Sequence, residues 1–258
     1  MSGASTRVFT KRLPLSGRWR LEAEADGLAR LAAAGAIRVP RVLALGQSAD
    51  AAWLELEWLD LREPDAAAEE RMGRALARLH AVGGPYFGLE RDNAIGASPQ
   101  PNAHAPAWID FWRRERLGFQ LELAARNGHA GRLQDRGRML VERVGDFFGA
   151  YEPLPSLLHG DLWAGNRGML ADGTPVFFDP AVYFGDREAD LAMTGLFGGF
   201  GPRFYGAYED AWPLDEGAAT RRDLYNLYHV LNHLNLFGGG YRRLAESMID
   251  RLLAAAGA

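Results

Sequence analysis

The run His159-Gly160-Asp161-Leu162-Trp163-Ala164-Gly165-Asn166, with a second aspartate in Phe178-Asp179-Pro180, decides how this chain is read. Asp161 and Asn166 stand five apart, and Asp179 follows Asn166 by thirteen. That set suits phosphoryl transfer. One carboxylate can take the proton of an attacking hydroxyl. A carboxamide oxygen and a second carboxylate are hard ligands for the magnesium ions that shield phosphates. Either piece alone is commonplace, since Asp-Leu before an Asn occurs in ordinary turns and Asp-Pro often opens one. Together, in order and at this spacing, they point to a phosphotransferase site. The flanks agree. Leu157-Leu158 and Val176-Phe177-Phe178 read as short buried strands, and Asp172-Gly173 between them is a hairpin signal. Both carboxylates are therefore expected at strand or loop ends that open on a cleft.

Working outward, the chain of 258 residues is long enough for one large domain or two lobes with sizeable cores. Its net charge of −4, with acids and bases interspersed, gives no electrostatic case for nucleic acid or an anionic membrane. The absence of cysteine excludes disulfides, thiol catalysis and cysteine-ligated zinc, and fits a cytoplasmic protein. No apolar run reaches the length of a membrane span, and the first seven residues lack the apolar core of a signal peptide.

Hydrophobic spacing divides the chain in two. Arg7 to Lys11 reads as a strand and Arg18 to Ala34 as a helix ended by Gly35. Val39 to Leu43 and Ala51 to Leu59 read as further strands. Proline and charge interrupt the pattern near Leu61 to Asp65. Beyond that point apolar residues recur at helical spacing: Met72, Ala75, Leu76 and Leu79; then Trp108, Phe111 and Trp112; then Leu140, Val144, Phe147 and Phe148; then Leu224, Leu227, Tyr228, Leu231 and Leu234. The expected fold class is α+β and bilobal, with a small β-rich lobe over residues 1–61 and a larger, mainly helical lobe over 62–258. The ordering of Asp161, Asn166 and Asp179 is similar to that of protein kinases. In that pattern a strand lysine holds phosphates and a helix glutamate orients it. Lys11 and Glu24 take those places, with Glu22 as the alternative partner and a solvated lysine as the plain alternative. Leu54 to Leu59 then becomes the interlobe hinge, with backbone groups around Glu57, Trp58 and Leu59 facing an adenine edge.

The chain also resembles the fructosamine kinase (ketosamine-3-kinase) family, a branch of the aminoglycoside-phosphotransferase-like kinases. The resemblance rests on His159 to Asn166, including Trp163, and on Asp179 to Met193, Leu196 to Phe200, Asp92 to Gly96, Pro99 to Asn102, Trp108 to Leu117 and Leu224 to Gly238. It implies a protein-kinase-like fold and ATP with Mg2+ as cofactors. The substrate it implies is a ketoamine, small or protein-bound, phosphorylated at the third carbon of its sugar so that the amine is later freed. Asp161 would serve as the catalytic carboxylate, Asn166 and Asp179 as metal ligands, and Lys11 as the phosphate-neutralising lysine. Trp163 either faces the acceptor or packs beside the loop. His159 is read as a scaffold for the loop. Asp186, Arg187, Glu188 and Asp190 form either an acceptor-side wall, with Asp186 and Arg187 touching substrate, or a brace, the role expected of Asp190.

Three further features are read structurally. His229 and His233, four apart, are helix-packing histidines rather than a metal pair. Gly198-Gly199 and Gly238-Gly239-Gly240 are helix ends rather than phosphate loops, because neither lies between a strand and a helix. Only ten residues precede Lys11, and Ser2 to Ser5 are too few for the strand, glycine-rich loop and strand found at that place in relatives. Two other readings therefore stay open. One is a kinase for a different hydroxylated amine, such as an aminoglycoside. The other is a nucleotide- or sugar-binding protein with little catalysis.

Overall fold

The computed structural model describes residues 7–257; the Ser2 to Ser5 expectation lies outside them. Strand β1 (Val8–Pro14) leads into helix α1 (Arg18–Ala34), whose limits match the spacing of Leu21, Leu28 and Leu31 on its buried face. Strands β2 (Val42–Gln47) and β3 (Ala51–Glu57) complete an antiparallel sheet of order β1-β3-β2. The second strand begins three residues later than its sequence suggests. Pro40 has no N–H to give a ladder, so pairing starts after it, and Arg38 instead bridges Val176 in the other lobe. The third strand stops at Glu57, where the Glu57 N–H donates to Arg41 O at 2.9 Å and the chain leaves the sheet.

Helix α2 (Ala66–His80) opens the helical lobe, its first turn capped by Asp65, whose carboxylate accepts the Ala68 N–H at 2.7 Å. A hairpin, β4 (Asn93–Ile95) and β5 (Ser98–Gln100), reaches back toward α1. Helix α3 (Trp108–Phe111) continues through a π-helical turn, Trp112–Gly118, into α4 (Phe119–Arg126), and α5 (Arg132–Glu142) follows. Two small antiparallel pairs carry the loops of interest. Strand β6 (Ser156–Leu158) pairs with β9 (Tyr183–Gly185), and β7 (Arg167–Met169) with β8 (Pro175–Phe177). Helices α6 (Glu188–Leu196), α7 (Pro202–Ala211), α8 (Ala218–Phe237) and α9 (Gly240–Ala255) finish the chain. The fold is α+β, a small sheet lobe beside a larger helical one.

Two apolar cores hold it. One gathers Trp108, Phe111, Trp112, Tyr225 and Tyr228 with the buried faces of α8 and α9. The other crosses between the lobes, joining Leu21, Leu28 and Leu54 to Met72, Phe204 and Tyr208. It depends on close passage of α2 over α7: a Cβ at Gly73 would lie 2.2 Å from the Phe204 carbonyl oxygen. Among the described residues no helix is long and apolar enough to cross a membrane.

Candidate active site

The loop after β6 is fixed before it meets any substrate. The His159 ring is buried, and its Nε2 lies 3.0 Å from Phe178 O at the end of the neighbouring strand pair. Asp190, on the first turn of α6, accepts the His159 N–H at 2.7 Å and the Gly160 N–H at 2.8 Å, with His80 Nε2 at 3.2 Å. Burial alone would push the Asp190 carboxyl up; its bonds to His80 and Gly160 outweigh that and hold it below the usual range. Gly160 has a φ of +84°, and a Cβ there would lie 2.0 Å from Ala181 O. Only glycine lets the loop pass so close to the Asp179 segment.

Asp161 follows. The Asn166 amide Nδ2 donates to Asp161 O at 2.8 Å, and lies at 3.5 Å from Asp161 Oδ2 and 3.4 Å from Asp179 O. Burial first, then the charges of Asp179 and Asp190, push the Asp161 carboxyl up to about 7; the Asn166 amide opposes them. Asp179 has a φ of 56°, the one non-glycine residue in the left-handed region among those described. Aspartate tolerates that conformation better than most residues, and such strain gathers where side-chain direction matters. Lys11 Nζ reaches Asp179 Oδ1 at 2.5 Å and both Glu24 oxygens, at 2.8 and 2.9 Å. Burial would lower the lysine's pKa, but the two carboxylates raise it overall, so the ammonium stays charged. Glu22 pairs instead with Arg18 at 2.7 Å.

These side chains meet in a cavity of about 500 Å³ lined by Lys11, Glu24, Asp161, Trp163, Asn166 and Asp179. Trp163 is 40% exposed, edge-on to Phe197, so it faces the cavity rather than filling a core. A second, mostly apolar pocket of about 200 Å³ adjoins it, with Phe9, Leu56, Trp58, Leu59 and Phe178 on its walls and Asp179 shared. Glu57 also lines this pocket, but its carboxylate is paired with Arg38 and its N–H is bound to Arg41. Trp58 and Leu59 share the wall of that pocket. Sequence reasoning gave no role to the β4–β5 hairpin, yet Ala94 and Gly96 line the cavity, and Arg20 Nε holds Gly96 O at 3.0 Å. The Asp92 to Gly96 segment was the available signal.

Of the two readings left open for Asp186 and Arg187, wall or brace, their burial away from the cavity fits the brace and not substrate contact. Neither lines the cavity, and both are buried. Asp186 accepts from the Tyr225 and Tyr151 hydroxyls at 2.5 and 2.9 Å, and burial, then Glu188, pushes its carboxyl up to about 6. Arg187 donates to Tyr208 Oη, Trp212 O and Pro213 O at 3.1, 2.9 and 2.6 Å. Glu188 pairs with Arg221 at 2.7 Å. The charged run is a buried brace behind the site. His233 Nδ1 turns to His229 O at 2.7 Å, a helix-packing contact. Among the described residues no cluster of three His, Cys, Asp or Glu side chains could hold a metal.

A sheet lobe carrying a lysine–glutamate pair, set over a helical lobe that presents Asp161, Asn166 and Asp179, defines a phosphotransferase of protein-kinase-like fold. The chain belongs to the fructosamine kinase family, whose model, described as "Fructosamine kinase", matches residues 1–255. It is 47% identical over 249 residues to a probable ketoamine kinase of Synechocystis sp., covering 96% of this chain and 83% of that one. A crystal structure of a candidate fructosamine-3-kinase from Haemophilus somnus superposes with a TM-score of 0.88 at 33% identity, covering 95% of this chain and 83% of the other. The ADP-bound aminoglycoside phosphotransferase APH(2'')-Ib, at 14% identity and a TM-score of 0.56, covers 92% and 82% respectively and shares the fold alone. The protein is an ATP-dependent phosphotransferase, and ATP is its co-substrate.

Proposed function

We propose that the enzyme phosphorylates the 3-hydroxyl of a ketosamine, of the ribulosamine, erythrulosamine or fructosamine type, in the cytoplasm. The observation that carries this reading is the single cavity in which Asp161, its carboxylate free of strong protein partners, stands beside Asn166, Asp179 and Lys11 and below the open face of Trp163. Asp161 orients the acceptor hydroxyl and receives its proton, which moves late in a loose transition state, so aim counts for more than basicity. Lys11 offsets phosphate charge, and the apolar pocket at Trp58 and Leu59 receives the base. Trp163 gives the acceptor an aromatic face.

The residues fit magnesium. Asn166 spends its Nδ2 on backbone oxygens, leaving Oδ1 for a ligand, and Asp179 contributes a carboxylate, so the donor set is all oxygen. When bound, the metal neutralises the phosphate charge that builds during transfer. The cavity does not favour an aminoglycoside. Lys11, Arg12 and Arg20 balance Glu24, Asp161 and Asp179, whereas a polycationic acceptor calls for a strongly acidic wall.

Mass spectrometry of a panel of ketoamines, aminoglycosides and simple sugars, incubated with enzyme and Mg-ATP, tests the reading. A phosphorylated ketoamine is expected, with transfer lowered at least about a thousandfold in Asp161→Asn while ATP binding persists. Labelling of another amine or sugar with none of the ketoamines would overturn the substrate. ATP binding without any transfer would favour a binding protein.

A further inference from the structure

We propose that a groove behind the hinge is a second binding site, for a small anion carrying several phosphoryl groups. The groove encloses about 450 Å³ and shares no lining residue with the catalytic cavity. Arg38, Arg71, Arg74 and Arg78 line it, with Ile37 and Thr174. The last three arginines recur at i, i+3 and i+7 on the exposed face of α2, so their row spans about 10 Å along the helix axis.

Two of these guanidinium groups are held in place without being neutralised. Arg71 Nε and Nη2 both donate to Gly173 O, at 3.1 and 2.7 Å. Arg78 Nη2 donates to Ala36 O at 3.2 Å. Carbonyl partners fix the planar fork while leaving its charge and remaining N–H groups for something else. Among the described residues neither arginine has a carboxylate within 4.0 Å, whereas Arg74 pairs with Glu70 at 2.5 Å and Arg38 with Glu57. Asp172, on the β7–β8 turn, is held low chiefly by the Thr174 N–H and only secondarily by Arg71. A chain with a net charge of −4 thus concentrates uncompensated positive charge in one concave place.

Closing the C-terminal end of α1 explains one arginine, since a cation there offsets the helix dipole and Arg78 already binds Ala36 O. It does not explain Arg71 and Arg74 aligned beside it. Guanidinium forks match phosphate oxygens in pairs, and a row of this length asks for more than one phosphoryl group. The wall opposite them, Ala36, Ile37 and Pro175, brings no carboxylate to repel such an anion.

Calorimetric titration of the whole protein with inorganic tripolyphosphate, in magnesium-free buffer with chelator, tests the site. One binding event is expected, weakened at least tenfold in the Arg71→Gln/Arg78→Gln double variant and unchanged in Lys11→Met, which damages only the catalytic cavity. Kinase activity of the double variant should match wild type. Arg74→Glu keeps both carbonyl bonds, folds without demand on the core, and should weaken binding at least fivefold. No heat with wild type, full affinity in Arg74→Glu or in a folded double variant, or loss of the event in Lys11→Met would each overturn the proposal. None of these results depends on which acceptor the kinase uses.

Discussion

Asp161 meets the cleft with little hydrogen bonding of its own, and its carboxyl is pushed up to about 7 by burial and by Asp179 and Asp190. Without magnesium, Asp161 should therefore take up its proton as pH falls through about 7. Carboxyl carbon-13 NMR of the magnesium-free protein should show this proton uptake, and a carboxyl still ionised at pH 5.5 would refute the shift. At this scale the sequence was informative where the chemistry is local. Asp161, Asn166 and Asp179 could be found by spacing, because one short loop and one hairpin carry all three. Lys11 and Glu24 were legible only as a pattern on a strand and a helix; their meeting at 2.8 Å needed the fold. Asp186 and Arg187 stayed open between wall and brace because the tyrosines and carbonyls that bury them, Tyr151, Tyr225 and Trp212 among them, come from distant segments that no spacing rule joins.

Helix α1 was readable to its ends because apolar spacing and a terminal glycine agree. Strand β2 was shifted by Pro40, and the π-turn at Trp112–Gly118 was invisible, since no residue type marks where a helix takes up an extra residue. The contact of α2 with α7 gives no sign in sequence beyond a glycine inside a helix. Gly73→Ala should therefore cost about 1–3 kcal/mol in urea unfolding despite alanine's better helix propensity, because its methyl would press on the Phe204 carbonyl. Gly206→Ala, one helix away and with nothing within 4 Å, should be neutral or stabilising by up to about 1 kcal/mol. Equal effects at the two glycines would show that the helices do not pass so closely.

The molecule as a whole buries histidines it keeps neutral. His80, His159 and His229 are all pushed down by burial, His229 to about 3. A folded-state pKa below the unfolded value means that the unfolded chain binds protons first. The stability involved is whole above about pH 6.5 and is lost as pH falls toward the folded value. Between pH 7 and 5, His229 should withdraw about 2 kcal/mol. The raised carboxyls of Asp161 and Asp186 act in the opposite direction, so the clean observable is the difference in pH slope between wild type and His229→Gln, measured by urea unfolding. Identical slopes would place His229 in contact with water.

The core that joins Leu28 and Leu54 to Phe204 and Tyr208 also sets a schedule for synthesis. Helix α2 leaves the ribosome early, yet α7, which packs against it, is translated more than a hundred residues later. Until α7 has emerged, that face of α2 lacks its final cover, and at about 5–20 residues per second it waits several seconds or more before the lobe can close.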